Sequence, residues 1–90
     1  MMRKIWSGRS WDEYLEWQDK DRKTLRRINA LIKDIERNDA MNGIGKPEQL
    51  KHNLSGWYSR RIDDKNRLVY RIVDAGNALE IAQCKGHYDN

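Results

Sequence analysis

The sequence contains no phenylalanine, a single cysteine and two histidines. Each scarcity excludes something. With Cys84 alone there is no internal disulfide, so folding is independent of oxidation and a reducing cytoplasm is the expected setting. The only histidines are His52 and His87, and with a single cysteine they make no zinc pattern. No acidic cluster resembles a magnesium site, and neither a metal nor another cofactor is expected. No apolar run approaches the roughly 20 residues that span a bilayer, and MMRKIW is interrupted too early for a signal peptide. Without phenylalanine, the bulky core falls to Trp6, Trp11, Trp17, Trp57, four tyrosines and the aliphatics. The 90 residues are expected to make one domain, 1–90, burying roughly two-thirds of the unfolded surface.

Charge is plentiful and unevenly placed. The net charge is +4. Between Gly45 and Arg71 there are seven basic residues (Lys46, Lys51, Arg60, Arg61, Lys65, Arg67 and Arg71) and three acidic ones (Glu48, Asp63 and Asp64). That stretch carries the whole surplus, and the other 63 residues balance at eleven of each sign. Such a concentration points to a polyanion as the partner.

Periodicity places these cations on a fold. Residues Met1 to Ser7 read as a short strand that Gly8 breaks. Ser10-Trp11-Asp12-Glu13 reads as a capping box opening a helix of about three turns. A second helix starts near Asp19 or Asp21, carries the apolar stripe Leu25, Ile28, Leu31, Ile32 and Ile35, and fades by Asn38–Gly43. The short connection makes the two helices an antiparallel hairpin. Trp57 to Ile62 alternates, residues 63–66 turn, Leu68, Tyr70 and Ile72 share one face of the next strand, and a further turn at Asp74–Asn77 leads to a strand beginning with Leu79 and Ile81. The expectation is α+β: two helices packed on one face of a four-stranded, mainly antiparallel sheet. Strand alternation sets Arg61, Arg67 and Arg71 opposite the Ile62, Leu68, Tyr70 and Ile72 face that the helices cover, so the three arginines are expected to project together from the uncovered face.

RNA can be cut without a metal. A base takes the ribose 2′-OH proton, the oxygen attacks the adjacent phosphate, an acid protonates the leaving 5′-oxygen, and fixed cations stabilise the phosphorane. Arginine suits the last task because its planar donors grip two phosphate oxygens at once. The candidates each carry a plainer alternative. Glu48 is the lone carboxylate in its segment, but Pro47 also suits the opening of a helical turn whose dipole Glu48 would complement. His87 is a proton carrier near the C-terminus, where a frayed tail is the alternative. Arg61 and Arg67 are phosphate grips or solvated strand residues. Trp57 and Tyr88 stack on bases or pack.

The ordered set Ile5-Trp6-Ser7, Ser10-Trp11-Asp12-Glu13-Tyr14-Leu15, Ile28-Asn29, Leu31-Ile32-Lys33-Asp34, Gly45-Lys46-Pro47-Glu48, Leu50 to Gly56, Ser59-Arg60-Arg61-Ile62, Arg67-Leu68-Val69-Tyr70 and His87-Tyr88 resembles the YoeB/Txe toxins, within the RelE superfamily of mRNA interferases. The resemblance implies a RelE-like microbial RNase fold and a metal-independent endoribonuclease that cleaves mRNA in the ribosomal A site, leaving a 2′,3′-cyclic phosphate and stopping translation. It implies Glu48 as general base, His87 as general acid and Arg67 as stabiliser of the phosphorane. Lys51 and Arg61 would hold phosphates, and Tyr88 would position the substrate. It also implies a YefM-type antitoxin partner, operator DNA bound through the toxin–antitoxin complex, and a homodimer. Departures from the family pattern fall at Gln49, Asn38–Ile44, Lys85-Gly86, and Asp89 with Asn90 beyond the usual terminal tyrosine. A catalytically silent nucleic-acid-binding module on the same fold is the alternative, and retention of Glu48, Arg67 and His87 favours the enzyme.

Overall fold

The computed structural model describes residues 2–88. Met1, Asp89 and Asn90, which the sequence reading includes in the first strand and the extended tail, lie outside the described residues. Strand β1 (Arg3–Trp6) leads into helices α1 (Gly8–Lys20) and α2 (Arg22–Arg37). A two-residue strand β2 (Glu48–Gln49) follows, then the meander β3 (Tyr58–Arg61), β4 (Arg67–Val73) and β5 (Ala78–Gln83). The sheet order is β1-β5-β4-β3-β2, with β1 parallel to β5 and the other pairs antiparallel. The architecture is α+β as expected, but among the described residues the sheet has five strands, not four. The addition is β2, whose two residues show no alternation and become a strand only by pairing with β3.

Asp21 alone separates the helices and caps the second: its carboxylate accepts from the Thr24 amide at 3.1 Å and the Thr24 hydroxyl at 2.8 Å. The expected cap of α1 is corrected. Ser7, not Ser10, is the N-cap, its hydroxyl accepting from the Ser10 amide. Ser10 is instead buried inside the helix and donates to the Ile81 carbonyl at 2.8 Å, which docks α1 on β5. Glu13 does not reach back to a cap. One of its carboxylate oxygens accepts from the Cys84 amide at 2.8 Å and the other from Arg9.

The core is Ile28, Leu31, Ile32 and Ile35 of α2 against Ile62, Leu68, Tyr70, Leu79, Ile81 and Cys84. Each fully buried aliphatic contributes about 1.5–3 kcal/mol. One charge lies among them. Arg60, whose side chain is fully buried, donates to the Asp34 carboxylate, to the carbonyls of Asp39, Asn42 and Ile44, and to the Tyr70 hydroxyl. Tyr70 in turn donates to the Ala40 carbonyl at 2.6 Å. This cluster clasps the loop between α2 and β2 onto the helix-covered face. Gly43 has no room for a side chain there: at φ +126° a Cβ would fall on the Asp34 carboxylate.

Candidate functional site

The site is built on the face of the sheet away from the helices. Directly paired residues share a face, and the register Glu48↔Ser59↔Val69 gives one row across β2, β3 and β4. Arg61↔Arg67 gives the next row. Glu48 is therefore a strand residue and not the first turn of a helix, contrary to the dipole reading. Its strand is pinned at both ends: the Arg61 amide donates to the Gly45 carbonyl at 2.7 Å, and the Leu50 amide to the Trp57 carbonyl at 2.9 Å. Leu50 is buried while Glu48 is exposed, so the carboxylate faces solvent from an anchored backbone.

The chain after β5 folds back over this face. The Arg67 amide donates to the Gly86 carbonyl at 3.0 Å, and the Gly86 amide donates to the Asn66 side chain at 2.8 Å. The Gln83 side-chain amide reaches the carbonyls of Lys85, Gly86 and His87. The Tyr88 hydroxyl stands 3.0 Å from the Ser59 hydroxyl. His87 is exposed between these two anchors, stacked on the Tyr88 ring at 4.8 Å between centroids. These bonds anchor the tail as far as Tyr88. The return also explains why Ser59, Val69, Arg67 and Gln83 are buried on a face that no helix covers.

The tail thus ties His87 and Tyr88 to the rows that hold Glu48, Arg61 and Arg67. The three arginines share a face as alternation requires, but they do not project together. Arg61 is exposed. Arg67 is only 7% exposed, and its Nη1 donates to the carbonyls of Asp63 and Asn66 in the β3–β4 turn. Arg71 pairs with Glu80 at 2.7 Å. With Arg60 neutralised by Asp34, Arg67 buried and Arg71 half-exposed in its pair with Glu80, the most exposed cations of the stretch are Lys46, Lys51, Arg61 and Lys65. Lys51 opens the short turn His52–Leu54 just after β2.

Several residues that hold the site carry no signal of that role in the sequence. Glu13 and Trp17 on α1 both bond the Cys84 backbone, the latter from Nε1 to the carbonyl at 2.8 Å, and so set where the tail departs. Asn66 reads as an ordinary turn residue, yet it holds Gly86. Burial pushes the Cys84 thiol up to about 12, which makes it a packing residue. Among the described residues, no cluster of three or more His, Cys, Asp or Glu is placed to hold a metal ion, and no helix is long and apolar enough to cross a membrane. A hollow of about 370 Å³ lined by Lys4, Trp6, Tyr14, Asn29, Ile32, Lys33 and Glu36 lies between β1 and α2 and holds none of the candidate residues.

The model of the YoeB-like toxins of bacterial type II toxin–antitoxin systems matches residues 6–88. The chain belongs to this family. It is 53% identical over 87 residues to the toxin YoeB of Escherichia coli K12, covering 97% of this chain and all of that one. In three dimensions it resembles the YoeB of a heterotetrameric YoeB–YefM complex from Staphylococcus aureus, with a TM-score of 0.90, 46% identity and coverage of 98% and 99% of the two chains. The YoeB dimer from the same organism superposes with a TM-score of 0.89 at 48% identity, covering 97% of this chain and 98% of that one. Membership in the YoeB-like toxins makes the protein a toxin of a toxin–antitoxin system, and the fold described above is the family's fold.

Proposed function

We propose that this toxin is a metal-independent, ribosome-dependent endoribonuclease that cleaves mRNA in the A site and so stops translation in the bacterial cytoplasm. The observation that carries the reading is the return of the tail. It ties a histidine, His87, to the face that bears an exposed carboxylate, Glu48, and the Arg61–Arg67 pair. In this reading Glu48 removes the 2′-OH proton, His87 protonates the 5′-oxygen, and Arg67 stabilises the phosphorane. Lys51 and Arg61 hold flanking phosphates, and Tyr88 positions the substrate and the histidine beside it. The base, acid and cation all come from protein side chains, so the chemistry calls on no metal.

The S. aureus relatives, solved as a YoeB–YefM complex and as a YoeB dimer, support a YefM-type antitoxin and a homodimer as partners here. The toxin–antitoxin complex is the form that binds operator DNA. One observation favours the silent-module reading: the Arg67 Nη1 is engaged with turn carbonyls, as in an arginine kept for structure. Expression in bacteria separates the two. The enzyme arrests growth and protein synthesis, the arrest is lifted by co-expressing a cognate YefM-type antitoxin, and Glu48→Gln with His87→Ala abolishes it. A double variant as toxic as the wild type removes the enzymatic reading.

A further inference from the structure

One row of the uncovered face plays no part in the chemistry above. Two residues along the strands from Ser59 and Val69, about 7 Å away, Trp57 and Arg71 face each other by continuation of the Tyr58↔Tyr70 register. The Arg71 guanidinium lies over the Trp57 ring, 4.4 Å from its centroid. Its Nε donates to Glu80, the residue opposite Arg71 on β5, at 2.7 Å. A ring on one side and a carboxylate at the edge fix the guanidinium plane. Even so, 43% of the Arg71 side chain is exposed. The helices pack on the opposite face, and the returning tail bonds to the neighbouring Ser59 row.

A flat, fixed and half-exposed cationic plane backed by an indole is a surface on which an unstacked nucleobase lies well. Its place along the strands matters as much as its chemistry. The Arg61–Arg67 row lies on one side of the Glu48–Ser59 row, and the Trp57–Arg71 row lies on the other. A strand of RNA with the cleaved phosphate at the Glu48 row and a flanking phosphate toward Arg61 extends over Arg71 with the nucleotide on the other side of the cut.

We infer that Arg71 and Trp57 form a stacking platform for the nucleobase adjacent to the cleaved phosphate. The inference rests on the ribonuclease reading for the position of that phosphate. Because every base offers a π-face, the platform adds affinity and orientation without selecting base identity. Glu80 acts as a positioning residue for the guanidinium.

The test is a cycle between protein and RNA variants. Messenger RNA with one abasic nucleotide, scanned through the positions around the cut, is presented on programmed ribosomes to the wild type, Trp57→Leu and Arg71→Lys. Arg71→Lys keeps the charge but loses the plane, and covers the case in which Trp57→Leu folds poorly. At one position next to the cut, the abasic site is expected to slow the wild type about tenfold, the size of one base–aromatic stack. It is expected to slow either variant no further. Penalties that simply multiply at every position overturn the platform, as do variants that weaken only antitoxin binding. The same cycle is read as Kd on RNA with a 2′-deoxy nucleotide at the cut, which cannot react. Coupling in Kd without any cleavage of normal RNA keeps the platform and removes the ribonuclease. Cleavage without coupling in rate or Kd keeps the ribonuclease and removes the platform.

Discussion

The hydroxyl of Tyr88 lies 3.0 Å from that of Ser59, and Ser59 pairs directly with Glu48. This contact ties the end of the described chain to the row that carries the candidate base. If it sets the position of His87, then Tyr88→Phe and Ser59→Ala each lower the cleavage rate by roughly fivefold, the equivalent of a hydrogen bond worth about 1 kcal/mol. The double variant is then no slower than either single one, because both remove the same contact. Single-turnover rates on ribosome-bound mRNA measure this directly.

Arg60 and Asp34 hold the loop between α2 and β2 against the helix-covered face. The pair is a buried charge with its partner 15% exposed, and it holds the loop that leads to β2. Breaking it leaves the other charge uncompensated, so Arg60→Leu is expected to cost about 3–5 kcal/mol in chemical denaturation. Arg61→Leu, an exposed neighbour, is expected to change stability by less than about 0.5 kcal/mol while weakening RNA binding.

The same pair predicts a pH dependence. The Arg60 guanidinium hydrogen-bonded to Asp34 holds its carboxyl below the usual range, with the Ile44 amide and the Asn38 side chain helping, against the opposing effect of burial. A depressed folded value means stability that is present above the unfolded carboxyl's value of about 3.9 and lost as pH falls through the folded one. Thermal melting of the wild type and Asp34→Asn across pH 7 to 2 checks the sign. The stability gap between them is expected to be widest at neutral pH and to narrow only in acid.

Local pattern made much of this fold legible, and its limits are physical. The α2 stripe and the β3–β5 meander follow from spacing alone, and alternation puts Arg61 and Arg67 on one face. It also puts Arg60 on the other face, under the helices, although its charge counts toward the same basic stretch. Its partner Asp34 lies 26 residues away, beyond any local rule. The two-residue β2 has no pattern of its own, and its pairing with β3 defines it. Ser10 and Ser7 both suit a helix start, and the choice turns on the Ile81 carbonyl, which only the tertiary fold supplies. The return of the tail depends on Gln83, Asn66 and Ser59 meeting across three elements, so the residue types at 87 and 88 could be nominated but not located.

Cys84 offers a simple check on the packing behind the tail. Its thiol, pushed up to about 12 chiefly by burial, is expected to react with a disulfide reagent at pH 8 about a hundredfold or more slower in the native protein than in the unfolded one. Comparable rates would mean that the segment before His87 opens readily.

Glu48 and His87 are assigned as the base and the acid acting on an RNA 2′-hydroxyl. The chemical ends of the fragments that the purified toxin releases from ribosome-bound mRNA, read by mass spectrometry, test this most directly. This base–acid pair gives a 2′,3′-cyclic phosphate on the upstream fragment and a 5′-hydroxyl on the downstream one, both lost with Glu48→Gln. A 3′-hydroxyl opposite a 5′-phosphate would contradict it.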